Sequence, residues 1–92
     1  MRRKIFTVQD TFKLSGWGLV LVGELDLNSP QPKVGDTIIV IRADGEELNL
    51  PVEGLEIFNI LNLQQGIKYL GILVGDINKE EVPNGSEVFV EE

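Results

Sequence analysis

Residues 6–24 constrain the fold of this chain more than any other part of the sequence. Apolar residues first alternate with polar ones, the motif Gly16-Trp17-Gly18 follows, and a continuous apolar run then covers 19–22. The alternating apolar residues are Phe6, Val8, Phe12 and Leu14. A period of two is typical of strands with one buried face, and glycine permits a tight corner that a side chain would obstruct. We therefore expect the four alternating residues in the core and a corner at the glycines. The apolar run suits a strand that is covered on both faces or that crosses a barrel corner.

The middle of the chain has the pattern of a β-hairpin. Segments 37–42 and 46–52 flank Asp44-Gly45, and this pair predicts a two-residue turn because both positions tolerate positive φ. Pro51 predicts an edge strand or a strand end, since proline donates no ladder hydrogen bond.

The last third of the chain predicts further strands over 69–74 and 87–90, with a turn at 82–85 before the final strand. Helical spacing occurs only within 57–63, where Ile57, Ile60 and Leu61 lie at i, i+3 and i+4.

The segment 6–24 resembles the opening of the second domain of translational GTPases such as elongation factor Tu. The matching residues are Asp10, Phe12, Gly16, Gly18, Val20 and Gly23. The resemblance continues at 34–37, 52–59, 71–74 and 77–82, and so follows the family in order from 6 to 90. It implies an all-β fold, a small closed six- or seven-stranded Greek-key-type β-barrel, and favours a strand and loop over a helix at 57–63. With 92 residues, the chain has the size of one small domain, so we expect a single barrel over 1–92 without a GTPase domain.

The residue inventory argues against catalysis. The chain has no histidine and no cysteine, so it lacks the commonest general base at neutral pH and a thiol nucleophile. Ser15, Ser29 and Ser86 lie in turn contexts without a visible base. The phosphate-binding motif Gly-x-x-x-x-Gly-Lys-Ser/Thr is absent. We therefore expect no enzyme activity, no cofactor, no metal site and no binding of GTP.

The resemblance also implies a binding site. Asp10 and Phe12 match family residues near the aminoacyl group of transfer RNA, while Val20, Glu56 and Leu73 match those around its terminal adenosine. A structural interpretation competes with this one. Val20, Leu73 and Phe12 suit any strand core, and Asp10 and Glu56 can accept hydrogen bonds in turns or caps.

Trp17 is the sixth candidate site residue and has two interpretations. An exposed aromatic side chain at a corner can stack on a base or anchor a protein partner. Alternatively, Trp17 folds back over a neighbouring strand and completes the core of a barrel that has few large residues.

The charges argue against RNA binding by this chain alone. Its 8 basic and 15 acidic residues give a net charge of −7, which repels phosphate and provides few cations for counterion release. Basic residues of the family are replaced here by Trp17, Glu24, Asn59 and Gly75.

The charges are also uneven along the chain. Four basic residues against Asp10 give the first thirteen residues a charge of +3, whereas six acidic residues against Lys79 give −5 from Asp76 onward. If the terminal strands lie close together, this difference helps to hold them; otherwise it presents an acidic patch to a basic partner, or is simply solvated surface.

Three functions remain. The first is a non-catalytic binding or adaptor module that contacts a protein through the Trp17 corner or the face that carries Glu56. The second is a translation-related binder of a transfer RNA 3′ end or another RNA. The third is an acidic protein that imitates the barrel and occupies a partner of a translation factor. No apolar run approaches the roughly 18 residues that cross a bilayer, and no apolar leader follows Arg2-Arg3-Lys4, so we expect a cytoplasmic protein without membrane contact.

Overall fold

The computed structural model describes residues 1–26, 28–59 and 68–91. This part of the chain is all-β and contains eight strands and one short 3₁₀ turn. The strands are β1 (Arg2–Thr7), β2 (Asp10–Leu14), β3 (Gly18–Glu24), β4 (Thr37–Ile41), β5 (Glu47–Pro51), β6 (Gly54–Asn59), β7 (Lys68–Leu73) and β8 (Glu87–Glu91), and the 3₁₀ turn covers Lys79–Glu81. They form two four-stranded antiparallel sheets, the first in the order β1-β8-β4-β5 and the second in the order β2-β3-β7-β6. No helical segment among these residues reaches the length and hydrophobicity that crossing a bilayer requires.

The chain passes from one sheet to the other at two corners. At the first corner the amide of Val8 donates to the carbonyl of Ser86, just before β8 of the first sheet, and the next amide, Gln9, donates to Val22 in the second sheet, both at 2.8 Å. The described residues form eight strands where six or seven were expected, because bends divide both the β1–β2 run and the β5–β6 run.

The second corner lies between β5 and β6 and has the same construction. The amide of Val52 donates to Asp36 at 2.8 Å, and the amide of Glu53 donates to Leu73 at 2.8 Å. Consecutive amides thus bond to opposite sheets. A strand that changes sheets through a bend is the usual corner of two sheets packed at a steep angle.

The core lies between the two sheets and is made of aliphatic side chains from both. Its least exposed members are Val8, Leu19, Leu21, Ile38, Val40, Val52, Ile72, Val74, Val82 and Val88. The residues of the run 19–22 are all buried, with exposures between 0% and 8%, which confirms the prediction of a strand covered on both faces.

The expected core positions of Phe12 and Leu14 are wrong. Phe6 and Val8 are buried as predicted, but Phe12 and Leu14 are each 43% exposed, and Thr11 is buried instead. Phe6 and Val8 are buried before the bend and Thr11 is buried after it, so the bend shifts the alternation by one residue. Phe12 and Leu14 therefore lie on the face of the second sheet that points away from the core.

The glycine corner between β2 and β3 is confirmed. Gly16 and Gly18 have φ of 82° and 133°, values that L side chains rarely adopt. At Gly18, a β carbon would also overlap the carbonyl group of Gly75. Two backbone hydrogen bonds join the same segments. The amide of Leu19 donates to the carbonyl of Gly75 at 2.8 Å, and the amide of Val74 donates to the carbonyl of Leu19 at 3.0 Å.

The β4–β5 hairpin is present, but the predicted two-residue turn is wrong. The amide of Arg42 donates to Glu46 at 2.9 Å and the amide of Gly45 donates to Arg42 at 2.8 Å, so three residues, 43–45, form the turn. Within this turn, Gly45 has positive φ, at 88°, and Asp44 does not. No other non-glycine residue among those described has positive φ either. This is the three-residue hairpin in which a glycine occupies the left-handed position.

Other expectations agree with the structure. Pro51 is the last residue of β5, an edge strand of the first sheet, and the turn at 82–85 is closed by the amide of Ser86, which donates to Pro83 at 3.1 Å. Residues up to Asn59 are a strand, as the resemblance implied; Ile60 and Leu61 of the helical spacing lie outside the described residues.

The opposite charges of the two ends of the chain lie together. β1 pairs with β8, and Lys4 Nζ lies 3.2 Å from Glu87 Oε2. Lys13 Nζ lies 3.0 Å from Asp76 Oδ1. The terminal strands therefore lie close together, as the first interpretation requires, but these ion pairs are largely exposed to solvent, and such pairs contribute about 0 to 1 kcal/mol each.

Candidate functional site

Five of the six predicted site residues lie on one face of the second sheet, which we call the outer face because it points away from the core. The strand register aligns them in two neighbouring rows. One row contains Phe12, Val20, Leu73 and Gly54, and the other contains Asp10, Val22, Gly71 and Glu56. Residues two apart on a strand share a face, so both rows point the same way. The register thus brings β2 and β3 together with β6 and β7, which lie much later in the sequence.

The outer face carries a shallow depression of about 180 Å³ beside β6. Val20, Leu73 and Glu56 all contribute to its lining, as does Leu14. The depression exists because the rows have glycine at two positions, Gly54 and Gly71, where other residues would fill the space. A β carbon at Gly54 would lie 3.4 Å from two carbons of Leu73, an ordinary contact distance. This floor therefore has room for a small apolar group.

Trp17 does not complete the core, so that interpretation is wrong. Its side chain is 69% exposed, and its amide donates to Leu14 at 3.0 Å in the turn between β2 and β3. The turn extends beyond the ends of both strands, and the core beneath it is already filled by residues such as Leu19. A large aromatic side chain is therefore left in solvent at the corner.

A second depression, of about 480 Å³, lies next to Trp17. Lys13, Asp76 and Leu14 contribute to its lining. Leu14 lines both depressions, so they adjoin each other. We call the continuous apolar surface of Phe12, Leu14, Trp17, Val20 and Leu73 the apolar strip.

The apolar strip exposes large apolar side chains, whereas a sheet face that only contacts solvent is usually polar. Phe12 and Leu14 are each 43% exposed and Trp17 is 69% exposed. Single exposed apolar residues are common on protein surfaces, but contiguous ones mark interaction sites. The strip is therefore the part of the described surface with the character of a contact site.

The charged residues that the described strands place on the outer face are acidic. They are Asp10, Glu56 and Glu24, which follows Val20 and Val22 on the same face of β3. Asp10 Oδ1 accepts a hydrogen bond from the amide of Thr11 at 2.9 Å, so this carboxylate has a local backbone donor. No basic side chain of the described residues pairs with Glu56. The face is thus apolar at its centre and negative at its margin.

The positions where the family has basic residues lie at or near this face. Trp17 and Glu24 occupy the corner and the end of β3, and Asn59 is the last residue of β6. Gly75 lies behind the corner, against Gly18. The substitutions replace positive charge with an aromatic ring, a carboxylate, an amide and a glycine.

No three acidic side chains among the described residues converge to hold a metal ion. The hydroxyl of Ser86 donates to the carbonyl of Pro83 at 2.6 Å in a buried position, so it stabilises the turn. What the outer face offers chemically is a contact surface with carboxylate acceptors.

Sequence reasoning missed Leu14 and Gly54 as site residues. Leu14 was assigned to the core because it continues the alternation of Phe12, and Gly54 has no side chain to attract attention. The cross-strand register places Gly54 beside Leu73. Only this register shows that Gly54, which has no side chain, forms the floor of a depression.

No known protein family has a model that matches this chain. The function is therefore inferred from the residues of the outer face.

Proposed function

We propose that this chain is a non-catalytic binding module whose outer face contacts a protein partner. The observation that carries the proposal is the gathering of five resemblance-derived site residues on one face, together with the exposed ring of Trp17 beside them. Exposed aromatic and aliphatic side chains around a small depression, with polar groups at the margin, are the usual anatomy of a protein interface.

We infer further that the two sheets belong to one closed barrel of the type found in the second domain of translation factors. The support comes from the two corners. The β1–β2 run bonds to β8 and to β3, the β5–β6 run bonds to β4 and to β7, and the remaining pairs are β3 with β7 and β4 with β8. Following these pairings from run to run leads back to the first run. Counting each bent run once reduces eight strands to six, within the range that the resemblance implies.

Charge favours a protein over a nucleic acid as the partner. Asp10, Glu24 and Glu56 flank the apolar strip, and the chain carries a net charge of −7. Affinity for nucleic acids comes largely from cations that replace the counterions of phosphate. A face with acidic margins repels phosphate. It can bury apolar groups of a protein without this electrostatic repulsion.

Binding of an RNA 3′ end is the alternative, and one observation favours it. Val20, Glu56 and Leu73, which the resemblance places around a terminal adenosine, contribute to one depression. The Glu56 carboxylate can accept hydrogen bonds from an amino group of a base or a hydroxyl group of a ribose. This alternative requires that one such contact outweigh the repulsion of phosphate by the face.

The experiment is capture of partners from a lysate of the source organism on immobilised chain, with and without ribonuclease. The variant Leu14→Ser/Trp17→Ser removes two exposed residues of the apolar strip. The control Val34→Ser removes an exposed apolar side chain, 64% accessible, that contributes to neither depression.

We expect a protein that is captured by the wild-type chain and by Val34→Ser, that is lost from the double variant, and that is insensitive to ribonuclease. Capture that ribonuclease abolishes would favour the RNA alternative. A captured set that is the same for all three proteins would contradict a role for the outer face.

A further inference from the structure

We propose that the outer face binds a basic peptide segment that carries two large apolar side chains, and this inference rests on the proposed function. The segment would place one apolar side chain in the depression over Gly54 and the other against Trp17, with lysine or arginine residues beside Glu56 and Asp10.

Two apolar anchors follow from the two adjoining depressions. The smaller, of about 180 Å³, has a glycine floor at Gly54 and an apolar wall formed by Val20 and Leu73. The larger, of about 480 Å³, lies beside the exposed ring of Trp17. Leu14 separates and lines both. A partner with one apolar side chain would leave one of the two depressions in contact with water.

The basic character of the partner follows from charge complementarity. The charged residues that the described strands place on the outer face are Asp10, Glu24 and Glu56, all negative. The nearest cation at the corner, Lys13, is already paired with Asp76 at 3.0 Å. Lysine or arginine residues of the partner would therefore meet carboxylates that lack a cation, which raises the association rate and excludes acidic competitors.

The same charges exclude a second copy of this chain as the occupant. A symmetric dimer through the outer face would place Glu56 and Asp10 opposite acidic residues of the other copy, since the same patch faces itself in a two-fold interface. Like charges in contact are unfavourable, and each copy carries a net charge of −7.

Trp17 adds a second way to recognise a cation. Its side chain is 69% exposed, so both a partner's aliphatic side chain and a guanidinium group can reach the ring. Arginine prefers to stack on a tryptophan face, and such contacts contribute more when the partner excludes water. An arginine next to the second apolar anchor would therefore contact the ring of Trp17.

The test is selection of binders from a random twelve-residue peptide library on the folded wild-type chain. Enriched peptides are synthesised with a fluorescent label, and their dissociation constants are measured by anisotropy. Two variants probe the face: Gly54→Val fills the small depression, and Glu56→Lys reverses the charge at its rim. The matched control Glu46→Lys makes the same charge reversal at an exposed residue of the β4–β5 turn, on the other sheet.

We expect enriched peptides with a net positive charge and two large apolar residues. Both outer-face variants should weaken binding at least tenfold, and Glu46→Lys should change it less than threefold. Raising the salt concentration should weaken binding, because charge pairs at a surface are screened. Should Gly54→Val fail to fold, as judged by circular dichroism, Glu56→Lys with its control still decides the question.

Neutral or acidic enriched peptides, the absence of enrichment, or binding unchanged by both outer-face variants would overturn the proposal. These results leave the proposed function standing if the lysate capture still depends on Leu14 and Trp17, because a folded partner could then use the face without a basic segment. Failure of both experiments would remove the outer face as a binding site.

Discussion

The ring of Phe6 lies directly over Gly23, so closely that a β carbon at Gly23 would overlap the ring. Phe6 belongs to β1 of the first sheet and Gly23 to β3 of the second. The side chain of Phe6 is buried, with 5% of its surface exposed. The absence of a side chain at Gly23 thus lets the two sheets approach each other near the first corner.

Gly23→Ala should therefore lower the free energy of unfolding by about 1 to 3 kcal/mol, the usual cost of an overpacked core. The measurement is urea denaturation followed by tryptophan fluorescence or circular dichroism. Gly54→Ala is the matched control, because its new methyl group meets only ordinary contacts on the outer face and alanine is less costly than glycine in a strand. Equal midpoints for Gly23→Ala and the wild type would contradict the packing of Phe6 described here.

The two glycines of the β2–β3 corner should differ in their tolerance of a side chain. Both have positive φ, 82° at Gly16 and 133° at Gly18, but a β carbon at Gly16 would meet nothing within 4 Å, whereas at Gly18 it would overlap Gly75. We expect Gly16→Ala to cost about 1 kcal/mol through backbone strain and Gly18→Ala to cost more, since an overlap with backbone adds to the strain. Urea midpoints of the two variants in the opposite order would contradict this.

The strands were predictable where local chemistry decides them. The apolar run 19–22, the terminal position of Pro51 and the turn at 82–85 each depend on residues next to one another in sequence. The face on which Phe12 lies was not predictable in this way. The alternation shifts by one residue between Val8 and Thr11, and that shift depends on where the chain changes sheets, which no local pattern records.

The candidate site was predictable only in part, because its assembly also depends on which strands pair. The resemblance supplied Asp10, Phe12, Val20, Glu56 and Leu73, but only the cross-strand register shows that they share a face. The exposure of Trp17 was equally inaccessible, because it depends on whether other side chains have already filled the space beneath the turn.

Arg2 and Glu47 should make stability depend on pH at the acidic end. The guanidinium of Arg2 donates two hydrogen bonds to the Glu47 carboxylate, at 2.8 and 3.0 Å, and so joins β1 to β5, the two edge strands of the first sheet. These hydrogen bonds, aided by the positive charge of Arg2, lower the pKa of Glu47, against a smaller opposing effect of desolvation.

A carboxylate with a lowered pKa stabilises the fold above its unfolded pKa, and this contribution disappears as the pH falls through the folded value. We expect the pKa of Glu47, measured by NMR titration, to lie below the ordinary value of 4.5 and to rise in Arg2→Gln. The pair is exposed, so added salt should reduce the shift. A Glu47 pKa that is the same in the wild type and in Arg2→Gln would contradict the pairing.

Positive charge at the corner should control RNA binding. We expect no binding of transfer RNA by the wild-type chain tighter than about 10 μM at physiological salt, because few cations are present to release counterions from phosphate. The variant Trp17→Arg/Glu24→Lys restores basic residues at two positions where the resembled family has them. Its affinity should rise at least tenfold, measured by fluorescence anisotropy with labelled transfer RNA.

The matched control is Val34→Arg/Glu46→Lys, which makes the same gain of three charge units on the net charge of −7 away from the outer face. If position matters, the control should bind RNA less tightly than the corner variant. Equal affinities for the two double variants would show that net charge alone governs the interaction. Tight binding by the wild-type chain that is lost in Glu56→Ala would instead mean that the depression beside β6 accepts an RNA end despite its acidic margin, and would place the RNA alternative ahead of a protein partner.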